Sequence, residues 1–144
     1  MANVVATWYH RAAMFPARDD ASLVEAWHDV LACHSRVSCA LEKALGREHD
    51  IGLSEFEVLE RLARPDMGQC RMQELAGAVS LSQSALSRLI GRLEADGLVE
   101  RAMCTDDRRG INAHITEAGR ARFEAARPTH RAVLAEHMPA SASA

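Results

Sequence analysis

Between Ser82 and Arg109 the chain carries two groups of side chains suited to one chemistry: hydrogen bonding to phosphates and to the edges of nucleic-acid bases. The first group is Ser82, Gln83, Ser84, Ser87, Arg88 and Arg92, in the run SQSALSRLIGRLEAD at 82–96. Leu86, Leu89, Ile90 and Leu93 repeat there at i, i+3, i+4 and i+7, the stripe by which a helix faces a core. The polar set and Gly91 are what remains on the other side and flank. Short side chains let a backbone come close to a ligand, glutamine can read adenine, and arginine can read guanine or clamp phosphate. The positive N-terminal end of such a helix favours a phosphate. The second group is Asp107, Arg108 and Arg109, in the polar turn CTDDRRG at 104–110. An arginine at a protruding tip, here Arg109, can enter a narrow minor groove, where negative potential is enhanced. Asp107 can hold that guanidinium in place, and Arg108 is placed for phosphate. Taken alone, each group also reads as a solvated polar face or turn, so the surrounding elements decide.

Those elements form a consistent series. Ser82 caps the helix that runs to about Asp96, and Gly97 stops it. Gln73 to Val79 predicts a short helix before it, with Leu75, Ala76 and Val79 inward, and Ser80-Leu81-Ser82 is the turn between the two. Short helix, three-residue turn and longer helix make a helix-turn-helix. Leu98 to Arg101 and Ile111 to Ile115 alternate in polarity, which predicts a hairpin whose tip is 104–110. Cys70-Arg71-Met72 is a further short strand candidate. Thr116 caps a last helix from Glu117 to about His137, with Ala118, Ala121, Phe123, Ala126, Val133 and Leu134 as its apolar positions and Pro128 as an expected kink.

Upstream, Ser22 with Glu25 reads as a capping box. It opens a helix of about 25 residues whose apolar stripe is Leu23, Ala26, Trp27, Val30, Leu31, Val37, Leu41 and Leu45. A second box, Ser54 with Glu57, opens a helix that Pro65 ends. Residues 1–20 contain Val4, Val5, Trp8, Tyr9, Ala12 and Ala13 at helical spacing. They read either as a short packed helix or as a loosely held arm.

Composition bounds the function. The 144 residues point to one domain, in which folding hides about two-thirds of the unfolded surface. No apolar run approaches the ~20 residues of a membrane span, and the first residues lack a signal-peptide pattern, so the cytoplasm is the expected location. The formal net charge is −3, unevenly distributed: 19–60 hold ten acids against Arg36, Lys43 and Arg47, whereas 61–112 hold eight arginines and seven acids. Sixteen of the seventeen basic residues are arginine, the better fork for phosphate and guanine, although genome composition gives the same bias. Cys33, Cys39, Cys70 and Cys104 show no metal-binding spacing and read as reduced thiols. No Gly-rich phosphate loop, metal cluster or nucleophile–base constellation appears, so neither catalysis nor a cofactor is expected.

Three stretches together resemble the MarR family of bacterial transcription regulators: LSEFEVLERLA at 53–63, SQSALSRLIGRLEADGLVER at 82–101 and DDRRGINAHITEAGR at 106–120. The likeness runs from about Leu23 to about His137. It implies a mainly α fold with a small β-hairpin wing, a winged helix-turn-helix lobe at 53–115, and a helical dimerisation region from 1–46 and 116–138, followed by a tail at 139–144. It implies a homodimer on a pseudo-palindromic operator in double-stranded DNA. It also implies repression relieved by a small aromatic or phenolic effector or by cysteine oxidation. Ser82 to Arg92 fall on the family's recognition helix, and Asp107 with Arg109 on its Asp-x-Arg wing motif.

The family's effector site implies Trp27, Leu31, His34, Phe56, Glu57 and Met67 as lining residues. Trp27 with Glu57 resembles the pair used by the urate-responsive branch, with Glu57 where that branch has aspartate; Trp27 also reads as core or interface packing. Cys33 and Cys39, six apart, fall on different faces of a helix and cannot bridge each other within it. A winged-helix protein-interaction module without DNA binding is the alternative from another class. Family members usually continue into another leucine-rich helix where this sequence has a Ser-Ala tail, so residues 1–20 are expected to take over part of the dimer interface. Deleting them should shift the mass in solution toward the monomer; an unchanged dimer would sink that expectation.

Overall fold

The computed structural model describes residues 19–64, 70–103 and 110–138. The expectations for residues 1–18, for Pro65 and Met67, for the wing tip 104–109 and for the tail lie outside them. The chain divides into two compact units, Met1–Arg36 and Val37–Ala144.

Helix α1 (Asp20–His49) is continuous across that division. Its cap is Asp19, not Ser22: the Ser22 N–H donates to Asp19 Oδ1 at 2.8 Å, and the Ser22 hydroxyl donates to the Asp19 carbonyl at 3.1 Å. A carboxylate meets the positive helix end better than a hydroxyl does, which moves the start three residues upstream. Hydrogen bonding from Ser22, its backbone N–H foremost, holds the Asp19 carboxyl below its ordinary pKa. In the first unit the expected stripe is not buried: Leu23, Trp27, Val30 and Leu31 are exposed, as is neighbouring Val24, and Ala26 is half-buried. From Val37 onward the stripe is buried, with Leu41, Ala44 and Leu45. The helix runs through Gly46, and Asp50 turns the chain out of it with a left-handed φ of 52°.

In the second unit, α2 (Leu53–Leu62) opens on Gly52. The Gly52 N–H donates to Glu55 Oε2 at 3.0 Å and the Leu53 N–H to Glu42 Oε2 at 2.7 Å. Two acids, one on α1 and one in the first turn of α2, thus satisfy two orphan donors, so the expected box of Ser54 with Glu57 is replaced by Gly52 with Glu55. Phe56, Val58, Leu59 and Leu62 are fully buried. Next come β1 (Cys70–Arg71), α3 (Met72–Ala78) and α4 (Gln83–Ala95). Met72, expected in the strand, opens α3 instead. Leu75 and Ala76 are buried and Val79 packs at the core margin, as its spacing predicts. Ser80 makes the turn at a φ of 55°, which costs a serine about 1 kcal/mol.

Strands β2 (Val99–Met103) and β3 (Ile111–Ile115) pair antiparallel, with Val99 opposite Ile115 and Met103 opposite Ile111. β1 adds to the other edge of β3, giving the order β1-β3-β2. Two residues suffice for β1 because its task is to anchor the start of α3 to the wing.

Helix α5 (Glu117–His137) begins where Thr116 Oγ1 accepts from the Gly119 N–H at 3.0 Å. Ala118 and Ala121, expected inward, are exposed; Gly119, Phe123, Ala126 and His130 take the buried face. A histidine fits there because its ring stacks on Phe56, centroids 4.4 Å apart, while Phe56 also meets Phe123 at 5.5 Å. Arg122 donates to the His49 carbonyl at 3.1 Å, and Arg131 pairs with Glu60. The Thr129 hydroxyl donates to Glu48 at 3.1 Å, so His49 Nε2, 2.8 Å away, is the donor to Thr129. Pro128 withholds one N–H but does not end the helix, which continues to His137.

The start of α5, the end of α4 and the base of the wing meet at one point. Gly97 leaves α4 at a φ of +72°, its carbonyl accepts from the Thr116 hydroxyl at 2.7 Å, and the Leu98 carbonyl accepts from the Thr116 N–H at 3.1 Å. A Cβ on Gly119 would lie 2.0 Å from the Leu98 carbonyl oxygen. Gly119→Ala is therefore expected to destabilise the fold by about 3 kcal/mol, a Tm loss of roughly 10 °C by thermal circular dichroism; an unchanged Tm would refute this packing.

His130 supplies a second expectation. Burial first, then the Arg131 charge, hold its imidazole below the ordinary 6.5, against an opposing pull from Glu60. The unfolded chain then takes up this proton at a higher pH than the folded one. Its contribution is complete above pH 6.5 and declines as the pH falls from there through the folded-state pKa. Urea midpoints at about pH 7.5 and about pH 5.5 should differ more for the wild type than for His130→Phe; equal differences would reject the assignment.

Candidate nucleic-acid interface

Helix α4 is held in one rotation by its own sequence. Leu86, Ile90 and Leu93 are fully buried and Leu89 nearly so, at about 2 kcal/mol apiece. Ser82 Oγ accepts from the Ala85 N–H at 3.2 Å, which fixes the N-terminus, and lies 3.3 Å from Ser84 Oγ. That rotation leaves Gln83, Ser84, Ser87, Arg88 and Arg92 exposed, the arrangement expected from spacing.

These side chains are not equivalent. Ser82 is engaged as the cap. Arg92 Nε reaches Glu55 Oε1 at 3.3 Å, and Glu55 is already bound to the start of α2, so Arg92 ties α4 to α2 while keeping an exposed guanidinium. The Ser87 carbonyl accepts from Arg101 Nη2 at 2.7 Å, with the Ser87 hydroxyl 3.4 Å from the same nitrogen. Gln83 and Arg88 make no hydrogen bond or ion pair with another side chain among the described residues.

Arg101 was not among the residues selected from the sequence. Besides Ser87 it contacts Glu94: its Nε lies 3.4 Å from Glu94 Oε2, and its backbone N–H donates to Glu94 Oε1 at 3.1 Å. The signal was present in the alternation. Arg101 is two residues from buried Val99 and pairs with fully buried Ala113, so it shares their face of the sheet. Its exposed type hid that direction.

The expected effector residues fall on both units, each described by itself. Trp27, Leu31 and His34 are exposed on the first-unit part of α1, whereas Phe56 is a core ring and Glu57 is half-buried on α2. Met67, Asp107, Arg108 and Arg109 lie outside the described residues. Cys33 is half-buried and Cys39 exposed, both as free thiols. Among the described residues, no three His, Cys, Asp or Glu side chains cluster to hold a metal, and no helix is long and apolar enough to cross a membrane.

Residues 51–111 match the sequence profile of the MarR family. The crystal structure of AbsC, a MarR family transcriptional regulator from Streptomyces coelicolor, superposes with a TM-score of 0.75 at 31% identity, covering 86% of this chain and 82% of that one. Sco3205 from the same organism, a MarR family regulator crystallised in complex with DNA, gives 0.77 at 26% identity over 85% and 77%. The transcriptional repressor MdtR of Bacillus subtilis is 30% identical over 71 residues, 49% of this chain and 46% of its own length. The chain spans about half the length of the curated relatives it matches, 53% and 57% for two others. The matched segment holds the helix-turn-helix and the first wing strand β2 just described, and likeness to AbsC extends over sequence and fold together: the chain belongs to the MarR family of winged helix-turn-helix transcriptional regulators.

Proposed function

We propose that this chain is a repressor that binds a pseudo-palindromic operator in double-stranded DNA as a homodimer. Helix α4 enters the major groove, and the tip bearing Asp107, Arg108 and Arg109 reaches the adjacent minor groove. The observation that supports it most is the state of Arg88 and Gln83. They stand exposed on a helix whose opposite face is locked in the core, with no partner among the described side chains. A fixed helix offering unengaged donors is what base-edge recognition needs. The DNA complex of Sco3205 supports the ligand class, and the name of MdtR supports repression.

Dimerisation rests on α1. Leu23, Val24, Trp27, Val30 and Leu31 are each more than 40% exposed on one helix, a larger apolar display than a monomeric surface usually keeps. Two recognition helices one turn of DNA apart would then read two half-sites about 34 Å apart. Release by a small aromatic effector belongs to this reading through the family resemblance, with Trp27, Leu31 and His34 as the exposed members of the expected set.

Binding is measured on a duplex that the wild-type protein selects from a random pool. Arg88→Ala should weaken it about 10- to 100-fold without changing the circular dichroism spectrum, the range for losing one good base contact. Arg109→Ala should weaken it comparably. Affinity should fall steeply with salt, through counterion release. A wild type that selects no duplex would favour the protein-interaction module; unchanged affinity in Arg88→Ala would remove α4 from the interface.

A further inference from the structure

We propose that Arg101 is a positioning residue: it sets the wing strand against the recognition helix and does not itself contact phosphate. The proposal rests on the reading of α4 as the DNA-facing helix. An arginine at the base of a wing would ordinarily be assigned to the phosphate backbone. Two of its three guanidinium nitrogens are instead directed at α4, while the side chain stays 33% exposed. Nη2 lies 2.7 Å from the Ser87 carbonyl and 3.4 Å from the Ser87 hydroxyl, and Nε lies 3.4 Å from Glu94 Oε2. The backbone N–H of the same residue donates to Glu94 Oε1 at 3.1 Å. One residue of β2 therefore grips α4 at two points seven residues apart, through side chain and main chain together. A lone exposed ion pair contributes little, but a planar fork bound to both a carbonyl and a carboxylate has a defined direction.

The placement makes that direction consequential. Ser87 immediately precedes Arg88, and Arg101 stands at the middle of β2, just before the wing tip at 104–109. The tie thus fixes the angle between the side chains that read the major groove and the strand that carries the tip. It also brings Arg101 Nη2 to 3.4 Å from the Ser87 hydroxyl, occupying one of its acceptor positions.

Charge and positioning predict opposite signs at Glu94. Removing an acid from a lobe that faces a polyanion should tighten binding if only charge matters. If Glu94 anchors Arg101, then Glu94→Ala should weaken binding to the selected duplex about 10-fold. Arg101→Ala should do the same with an unchanged slope of log affinity against log salt, whereas loss of a phosphate contact lowers that slope by about one. The double variant should be no worse than either single one. In the free protein, the Arg101 amide should exchange at least 10-fold faster in Glu94→Ala, because its acceptor is gone.

Tighter binding by Glu94→Ala, or a lowered salt slope in Arg101→Ala, would overturn the positioning role while leaving the DNA reading intact. Unchanged exchange at the Arg101 amide would overturn it without reference to DNA. A wild type that selects no duplex would overturn the parent reading and this role with it.

Discussion

The carbonyl of Leu98 is the constraint on which the winged helix-turn-helix lobe depends. It accepts from the Thr116 N–H, and Gly119 lies so close to it that no Cβ fits between them. Three directions are set there at once. Helix α4 has just ended through the left-handed Gly97, β2 is about to begin, and α5 starts from the cap that Thr116 provides. Helix α4, the wing strands and the last helix are thus referred to one backbone atom.

Arginine performs most of the remaining fastening. Arg120 donates to the Ala63 carbonyl at the end of α2, Arg122 to the His49 carbonyl at the end of α1, and Arg101 to the Ser87 carbonyl within α4. Arg92 and Arg131 hold acids of α2. Helix ends present carbonyls that no backbone N–H satisfies, and a planar guanidinium supplies several donors to one of them in a fixed plane. An arginine-rich composition in this chain therefore speaks first of element-to-element ties. Arg88, exposed on α4, makes no such tie among the described residues.

The buried His130 shows how the core is completed with few aromatics. Phe56, Phe123 and His130 stack across α2 and α5, and Arg131, next to the histidine, reaches back to Glu60. The position reads as polar in the sequence, yet a neutral imidazole is flat and large enough to serve as an aromatic surface. This is why the apolar pattern of α5 was legible at Phe123 and Ala126 but not at His130 or Gly119.

What the sequence by itself determined was local. The stripe of α4 and the caps at Ser82 and Thr116 are set by spacing and by side chains within three residues of the atoms they bond, and they were legible as such. So was the pairing of two alternating segments into a hairpin. The tertiary structure decided matters that involve residues far apart in the chain. Asp19 prevailed over Ser22, and Gly52 with Glu55 over Ser54 with Glu57, because acids compete for the same orphan N–H groups and geometry selects the winner. The row from Leu23 to Leu31 is exposed despite its helical period, since an apolar period states that a face can be covered and not what covers it. Above all, the roles of Arg88, Arg92 and Arg101 separated only in three dimensions. One residue type served as free donor, strut and clasp according to which acids and carbonyls the fold brought within 3.5 Å.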